Sequence, residues 1–296
     1  MILSMKSKGE SVAHSRHQNA FDGETILDAA GIRIVLHCAD AGFRRWLDGI
    51  AGYRNFLTRE DGPADAAVRL TFRGRRERPM WRRRPQETSL RRQGALVRIR
   101  HRDFLARGAP DFSRFDVLLP REDVYAFDNL LRFLLSVHAP ARGMFLLHAA
   151  ALVHDGEAYV LYGRSGAGKS TAAAVTAETP GRRCLAEDAV LVGVDGERVF
   201  AAATPLLHHP AEPPRPGHFP LRGLFRLRPA PAFCCTPLGA GAGVRSLLPS
   251  VLLYEGFHLA DRIFELCSDA ALGRPGFDLG LRLGEDFWPA LLESLD

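Results

Sequence analysis

At 296 residues, 46% of them apolar and 25% charged, the chain reads as a soluble globular protein with room for one large domain or two modest ones. No stretch approaches the roughly 20 apolar residues of a membrane span. The N-terminus also lacks the run of about 7 to 15 apolar residues of a signal peptide, so the expected compartment is the cytoplasm. A net charge of +5 would suit nucleic acid if it were spread along the chain, but the excess sits in the arginine-dense stretch 73–102, and nucleic acid is not the expected partner.

Residues 1–22 are polar and aperiodic and are expected to form a flexible tail. From there to residue 120 the pattern predicts a small mixed sheet, the N-terminal α+β domain of 23–120. Gly31 to Cys38 reads as a strand and Ala41 to Leu57 as an amphipathic helix. Ala66 to Phe72, Gly94 to Ala106 and Ser113 to Pro120 alternate as strands do. The arginine-rich segment between them reads as an exposed loop, either simply solvated or gripping an acidic peptide, nucleic acid or phosphates.

Arg121 to Ala139 is a predicted helix with Val124, Phe127, Leu130, Leu131, Leu134 and Leu135 on one face, leading into a second domain of 121–296. Two extended runs follow around Asp155-Gly156, a hairpin signal, and another pair turns at Asp195-Gly196. This core is richer in hairpins than a purely parallel βαβ domain. A proline-rich loop covers 207–220. A strand-like run then starts at Gly223, and a helix is expected around Arg245 to Asp261. The five cysteines, Cys38, Cys184, Cys234, Cys235 and Cys267, show no metal or disulfide spacing and are expected to be reduced and buried.

The chemistry is concentrated at Gly163-Arg164-Ser165-Gly166-Ala167-Gly168-Lys169-Ser170-Thr171, which satisfies GxxxxGK[ST] after an apolar strand and before an alanine-rich helix. Glycines let backbone N–H groups face an anion, the helix N-terminus favours negative charge, the lysine reaches the β- and γ-phosphates, and Ser170 can ligate Mg²⁺. Lys169 is the only lysine after position 8 in a chain whose other basic side chains there are arginine or histidine. A guanidinium does not replace a compact ammonium between phosphates, so the exception fits a chemical requirement. Glu187 and Asp188 are the nearest paired acids downstream, one suited to the metal and the other to an acceptor hydroxyl's proton. His148 lies in an apolar run that the hairpin could fold toward the loop. Arg222 and Arg245 are candidates for stabilising transferred charge.

A histidine fifteen residues before GxxxxGKS, followed by Ala186-Glu187-Asp188-Ala189-Val190, resembles the HPr kinase/phosphorylase family, relatives of ATP-dependent phosphoenolpyruvate carboxykinases. The resemblance covers about His148 to Val192. It implies an α/β fold with a hairpin-rich, mixed-sheet P-loop kinase core and an ATP- and Mg²⁺-dependent transfer of phosphate to a hydroxyl, such as Ser or Thr, of a peptide, protein or small molecule. It also implies roles at the reacting phosphate for His148, Lys169, Ser170, Glu187 and Asp188, with Asp188 as catalytic base and Ser170 and Glu187 at the metal.

Glu187 replaces the family's first aspartate and Thr171 its usual glutamate. The downstream Asn-Ser-Arg and Ala-Gly-Arg-Asn segments are missing, so HPr itself is not the expected substrate. The chain is closer to divergent HPr-kinase-like proteins whose ends carry a Trp-containing segment, as Asp286-Phe287-Trp288-Pro289 does here. No LSGGQ-like segment follows, and every asparagine precedes the loop, which removes the base-reading NKxD of GTPases. A nucleotide-binding sensor without transfer, an NTPase of another class, and a homo-oligomer stay open.

Overall fold

The computed structural model describes residues 24–73, 88–206, 213–254, 259–282 and 284–295, so the expected tail at 1–22 lies outside the described residues. The chain builds two mixed sheets and a few helices.

The first sheet opens with a hairpin that the sequence reading missed in part, β1 (Glu24–Ala29) against β2 (Ile32–His37). Its turn places Ala30 and Gly31 at φ 55° and 83°, and Asp28 Oδ1 accepts from the Gly31 N–H at 2.9 Å. Two positive φ angles give a turn the twist that hairpin strands need.

The single helix expected over 41–57 is instead α1 (Ala41–Gly49) and α2 (Ala51–Arg54), followed by β3 (Leu57–Thr58). The break falls after Gly49, at Ile50, whose backbone is extended at φ −99° and ψ 107°. Then come β4 (Ala66–Arg73), β5 (Ser89–Gln93), β6 (Leu96–Arg100), β7 (Leu105–Gly108) and β8 (Arg114–Pro120). The order is β3-β1-β2-β4-β8-β7-β6-β5, with β2–β4 and β4–β8 parallel.

The arginine-rich stretch is therefore not one loop. Residues 74–87 lie outside the described residues, but 89–100 form a hairpin in which Val97 and Ile99 are buried while Arg98 and Arg100 face out. Alternation outweighed local charge here because only every second side chain has to be apolar.

Helix α3 (Val124–His138) starts at Asp123, whose side chain accepts from the Ala126 N–H at 3.1 Å. It packs against β8 and against β9 (Met144–Leu147). Its buried Phe127, Leu130, Leu131, Leu134 and Leu135 belong to one apolar cluster with Leu27 and Val117 of the first sheet and Leu146 and Val190 of the second.

The second sheet continues with β10 (Ala149–His154) and β11 (Glu157–Tyr162), then α4 (Lys169–Ala177), β12 (Arg182–Ala186), β13 (Val190–Asp195), β14 (Arg198–Ala202) and the long β15 (His218–Pro229). Both expected hairpins are present, β10/β11 and β13/β14. β15 ties them together, running parallel to β11 and antiparallel to β14. β16 (Cys234–Leu238) follows, and after it α5 (Ala240–Leu247), α6 (Ala260–Gly273), β17 (Gly276–Leu281) and α7 (Trp288–Glu293). β17 extends the sheet parallel to β15.

Among the described residues, the span 245–261 does not form the one helix expected. A 3-10 turn over 248–250 containing Pro249 ends α5, Val251 is extended at ψ 130°, and α6 begins only at Ala260. Proline lacks the N–H that would continue the helix. None of the five cysteines forms a disulfide, but only Cys38 and Cys267 are buried, because the β16 and β12 positions of the others lie toward the sheet margins. Among the described residues, no helix is long and apolar enough to cross a membrane.

Candidate functional site

β11 ends on buried Tyr162, the chain turns through residues 163–168, and α4 starts at Lys169. Gly166 and Gly168 have φ of 79° and 103°, a region that disfavours any side chain. At Gly163 the constraint is the neighbouring strand, since a Cβ there would lie 2.6 Å from the Leu227 carbonyl oxygen on β15. Gly168 occupies the N-cap of α4 and offers no side-chain acceptor, which leaves the helix's opening N–H groups directed into the loop.

α4 lies close to the sheet because Ala172 and Ala173 present almost no side chain toward Leu161, Phe225 and Leu279. At its far end, Trp288 Nε1 donates to Thr176 Oγ1 at 2.9 Å, and that hydroxyl donates to the Ala172 carbonyl at 2.8 Å. The C-terminal Trp segment thus fixes the helix that carries the loop.

Lys169 is only 7% exposed. Its Nζ donates to the carbonyl oxygens of Gly163 at 3.0 Å and Arg164 at 3.3 Å. Burial pushes its pKa below the usual lysine range, partly opposed by the negative charge of Asp188. A buried ammonium held by neutral carbonyls has unmet electrostatic capacity for an anion. Ser170 and Thr171 are exposed on the first turn of α4.

Asp188 lies between β12 and β13 with its carboxylate 16% exposed. Arg132 Nη2, from the middle of α3, closes on Oδ2. His148 Nδ1 lies 3.3 Å from Oδ1 and 2.8 Å from the Asp188 carbonyl oxygen. A carbonyl oxygen only accepts, so Nδ1 carries a hydrogen and donates it there. His148 interrupts the strand run where the chain leaves β9, paired with β13, for β10, paired with β11 and β12. Its N–H is held by the Ser250 carbonyl at 2.7 Å.

The pairing around Arg132 extends further: Nη1 donates to Asn129 Oδ1 at 3.1 Å, and Asn129 Nδ2 donates to Asp103 Oδ2 at 2.6 Å. A chain of polar side chains therefore runs from the β6–β7 turn to Asp188.

A concavity of about 760 Å³ joins the loop to His148 and to Arg226, Arg228 and Arg245. Asp278 takes Arg226 at 2.9 Å and Arg228 at 3.3 Å, and these arginines, Arg226 first, hold its carboxyl below the usual range. Arg245 lines this space as the sequence reading allowed, whereas Arg222 turns away to Glu157 and the Leu295 carbonyl. Glu187 is half-buried beside Asp188. Ser170 and Glu187 together offer oxygen donors only, the chemistry Mg²⁺ takes when phosphate oxygens and water complete its shell. Among the described residues, no three His, Cys, Asp or Glu side chains cluster as a ready-made metal cage.

No family model matches the sequence, and no curated protein matches it. Distant likenesses occur among solved structures. The HPr(Ser) kinase/phosphatase from Coxiella burnetii aligns at 10% identity and a TM-score of 0.28, over 51% of this chain and 92% of that one.

Arg132, Arg226 and Arg228 were not singled out from sequence. Arg132 had a signal, one of only two Asp, Glu, Lys or Arg residues, with Asp128, in an apolar helix that buries nearly its whole circumference. Arg226 and Arg228 are two apart on a strand, which puts both on one face.

Proposed function

We propose that the chain is an ATP- and Mg²⁺-dependent phosphotransferase of HPr-kinase-like type, moving the γ-phosphate to a hydroxyl, such as Ser or Thr, of a peptide, protein or small molecule. The observation that carries this reading is that two arrangements adjoin: the glycine loop and His148 line one concavity, and the charge of Asp188 acts on Lys169 of the loop. One is a glycine loop with a buried lysine. The other is a carboxylate, Asp188, oriented by Arg132 and His148, whose ring lines the same space. The sequence resemblance over His148 to Val192 supports it independently.

In this reading Lys169 and the N–H groups at the start of α4 hold the phosphates. Ser170 and Glu187 would hold Mg²⁺, which supplies neutralisation of phosphate charge. Asp188 accepts the proton of the acceptor hydroxyl as its oxygen bonds to the γ-phosphorus, while the bond to the β-phosphate oxygen breaks and the nucleoside diphosphate leaves with those electrons. His148 orients Asp188, and Arg245 faces the transferred charge. Residues 121–296 form the catalytic unit, and 23–120 form a smaller α+β domain beside it.

Incubation with Mg²⁺ and γ-labelled ATP together with hydroxyl-bearing peptides and small molecules tests this. Label on an acceptor supports transfer, whereas label released only as phosphate makes the chain an NTPase. One observation favours a second reading, a nucleotide sensor without transfer. Asp188 already has a guanidinium partner in Arg132, and a sensor would keep that pair closed with nucleotide bound.

A further inference from the structure

The first sheet buries one face on α3 and opens the other, and a row of directly opposed residues crosses that open face. Arg91 faces Arg98, Arg98 faces Arg107, Arg107 faces Asp116, and Asp116 faces Arg69. All four arginines are exposed. Asp116 is the only acid in the row and is shared, at 3.3 Å from Arg107 and 3.6 Å from Arg69. Among the described residues, no carboxylate pairs with Arg91, Arg98 or Arg100.

Like charges directly opposite one another on a sheet weaken it. Three arginines in register across β5, β6 and β7 therefore work against the fold unless negative charge from outside lies over them. Two concavities, of about 600 and 580 Å³, flank the row and share Arg107 and Asp116, so the face is a trough and not a flat surface.

We infer that this trough is a docking site for an acidic, extended peptide segment. Arginine forks match carboxylates in pairs of parallel hydrogen bonds. The side chains between the arginines on the β5–β8 side are Ser89, Leu105, Leu118 and Thr71, which suit aliphatic or small polar neighbours. No aromatic ring lines that concavity, and those at the other are the buried Phe115 and the half-buried His37, whereas single-stranded nucleic acid draws much of its binding from stacking on accessible aromatic side chains. The site stands apart from the phosphate loop and does not rest on the phosphotransfer reading.

The test is fluorescence anisotropy of the full chain with a labelled peptide alternating glutamate and alanine, beside a lysine–alanine peptide and an oligothymidine. The glutamate peptide binds in a salt-sensitive way and the lysine peptide does not. Arg98→Gln weakens binding about tenfold, the loss of one charge-assisted contact. Arg262→Gln, on α6, leaves it unchanged. Arg98→Gln also melts no lower than the native chain, because it removes a like charge opposite both Arg91 and Arg107. Failure of the glutamate peptide to bind, indifference to Arg98→Gln, or equal or tighter binding of oligothymidine would each overturn the inference.

Discussion

Arg132, in the middle of α3, closes on the carboxylate of Asp188 in the turn between β12 and β13, and the two side chains are only 17% and 16% exposed. Two elements far apart in sequence thus meet through one ion pair at the edge of the candidate site. The second guanidinium nitrogen is held by Asn129, so the fork is fixed before it reaches the acid.

Removing Arg132 takes the guanidinium away from a sheltered carboxylate. Arg132→Met is expected to cost about 3 kcal/mol, read from urea unfolding, and to slow phosphate transfer as Asp188 loses its orientation. Arg132→Lys restores the charge but not the fork to Asn129, and recovers only part of the rate. A double-mutant cycle with Asp188→Asn separates the pair's own coupling from other losses.

Lys169→Met should weaken ATP binding about a hundredfold in a calorimetric titration without lowering the melting temperature, since the native fold has to bury an ammonium there. Lys169→Arg should bind nearly as poorly. A planar guanidinium does not fit the pocket in which Nζ meets the carbonyls of Gly163 and Arg164. Equal ATP affinity in the native chain and Lys169→Met would remove the loop from nucleotide binding.

Acid should destabilise the chain in two separate windows. His138 is 8% exposed, and burial lowers its pKa below the ordinary 6.5. His101 is lowered by burial as well. Below pH 6.5 the unfolded chain takes up protons that the folded chain refuses, so this stability is full above that value and is lost as pH falls through the folded pKa values. Asp278, lowered chiefly by Arg226, contributes stability that persists until pH falls below the ordinary 3.8 and is lost through its own folded value. Urea midpoints measured across both windows check the order, and His138→Gln should shrink the first step, to which His101 still contributes, and leave the second unchanged.

Much of the second sheet was legible because its signals are local. Asp155-Gly156 and Asp195-Gly196 form the turns between paired strands, and the glycine loop lies between strand and helix as its pattern requires. What stayed hidden depended on tertiary partners. Ile50 breaks a sequence that is amphipathic on both sides, Pro249 ends one helix inside a span that read as another, and β5 carries the adjacent Arg91 and Arg92, with its strand pairing satisfied by β6. In the site, Asp188 and His148 could be singled out by spacing. Their partner Arg132 could not, since nothing in the pattern of α3 says which distant acid an interior arginine meets.

The most direct test of the account is a single-turnover measurement with γ-labelled ATP bound to the native chain and to Asp188→Asn in the presence of an accepted hydroxyl substrate. The account predicts that both bind ATP alike and that the variant transfers label at least about a hundredfold more slowly, the loss expected when a positioned base is removed. Equal transfer rates in the two proteins would contradict it.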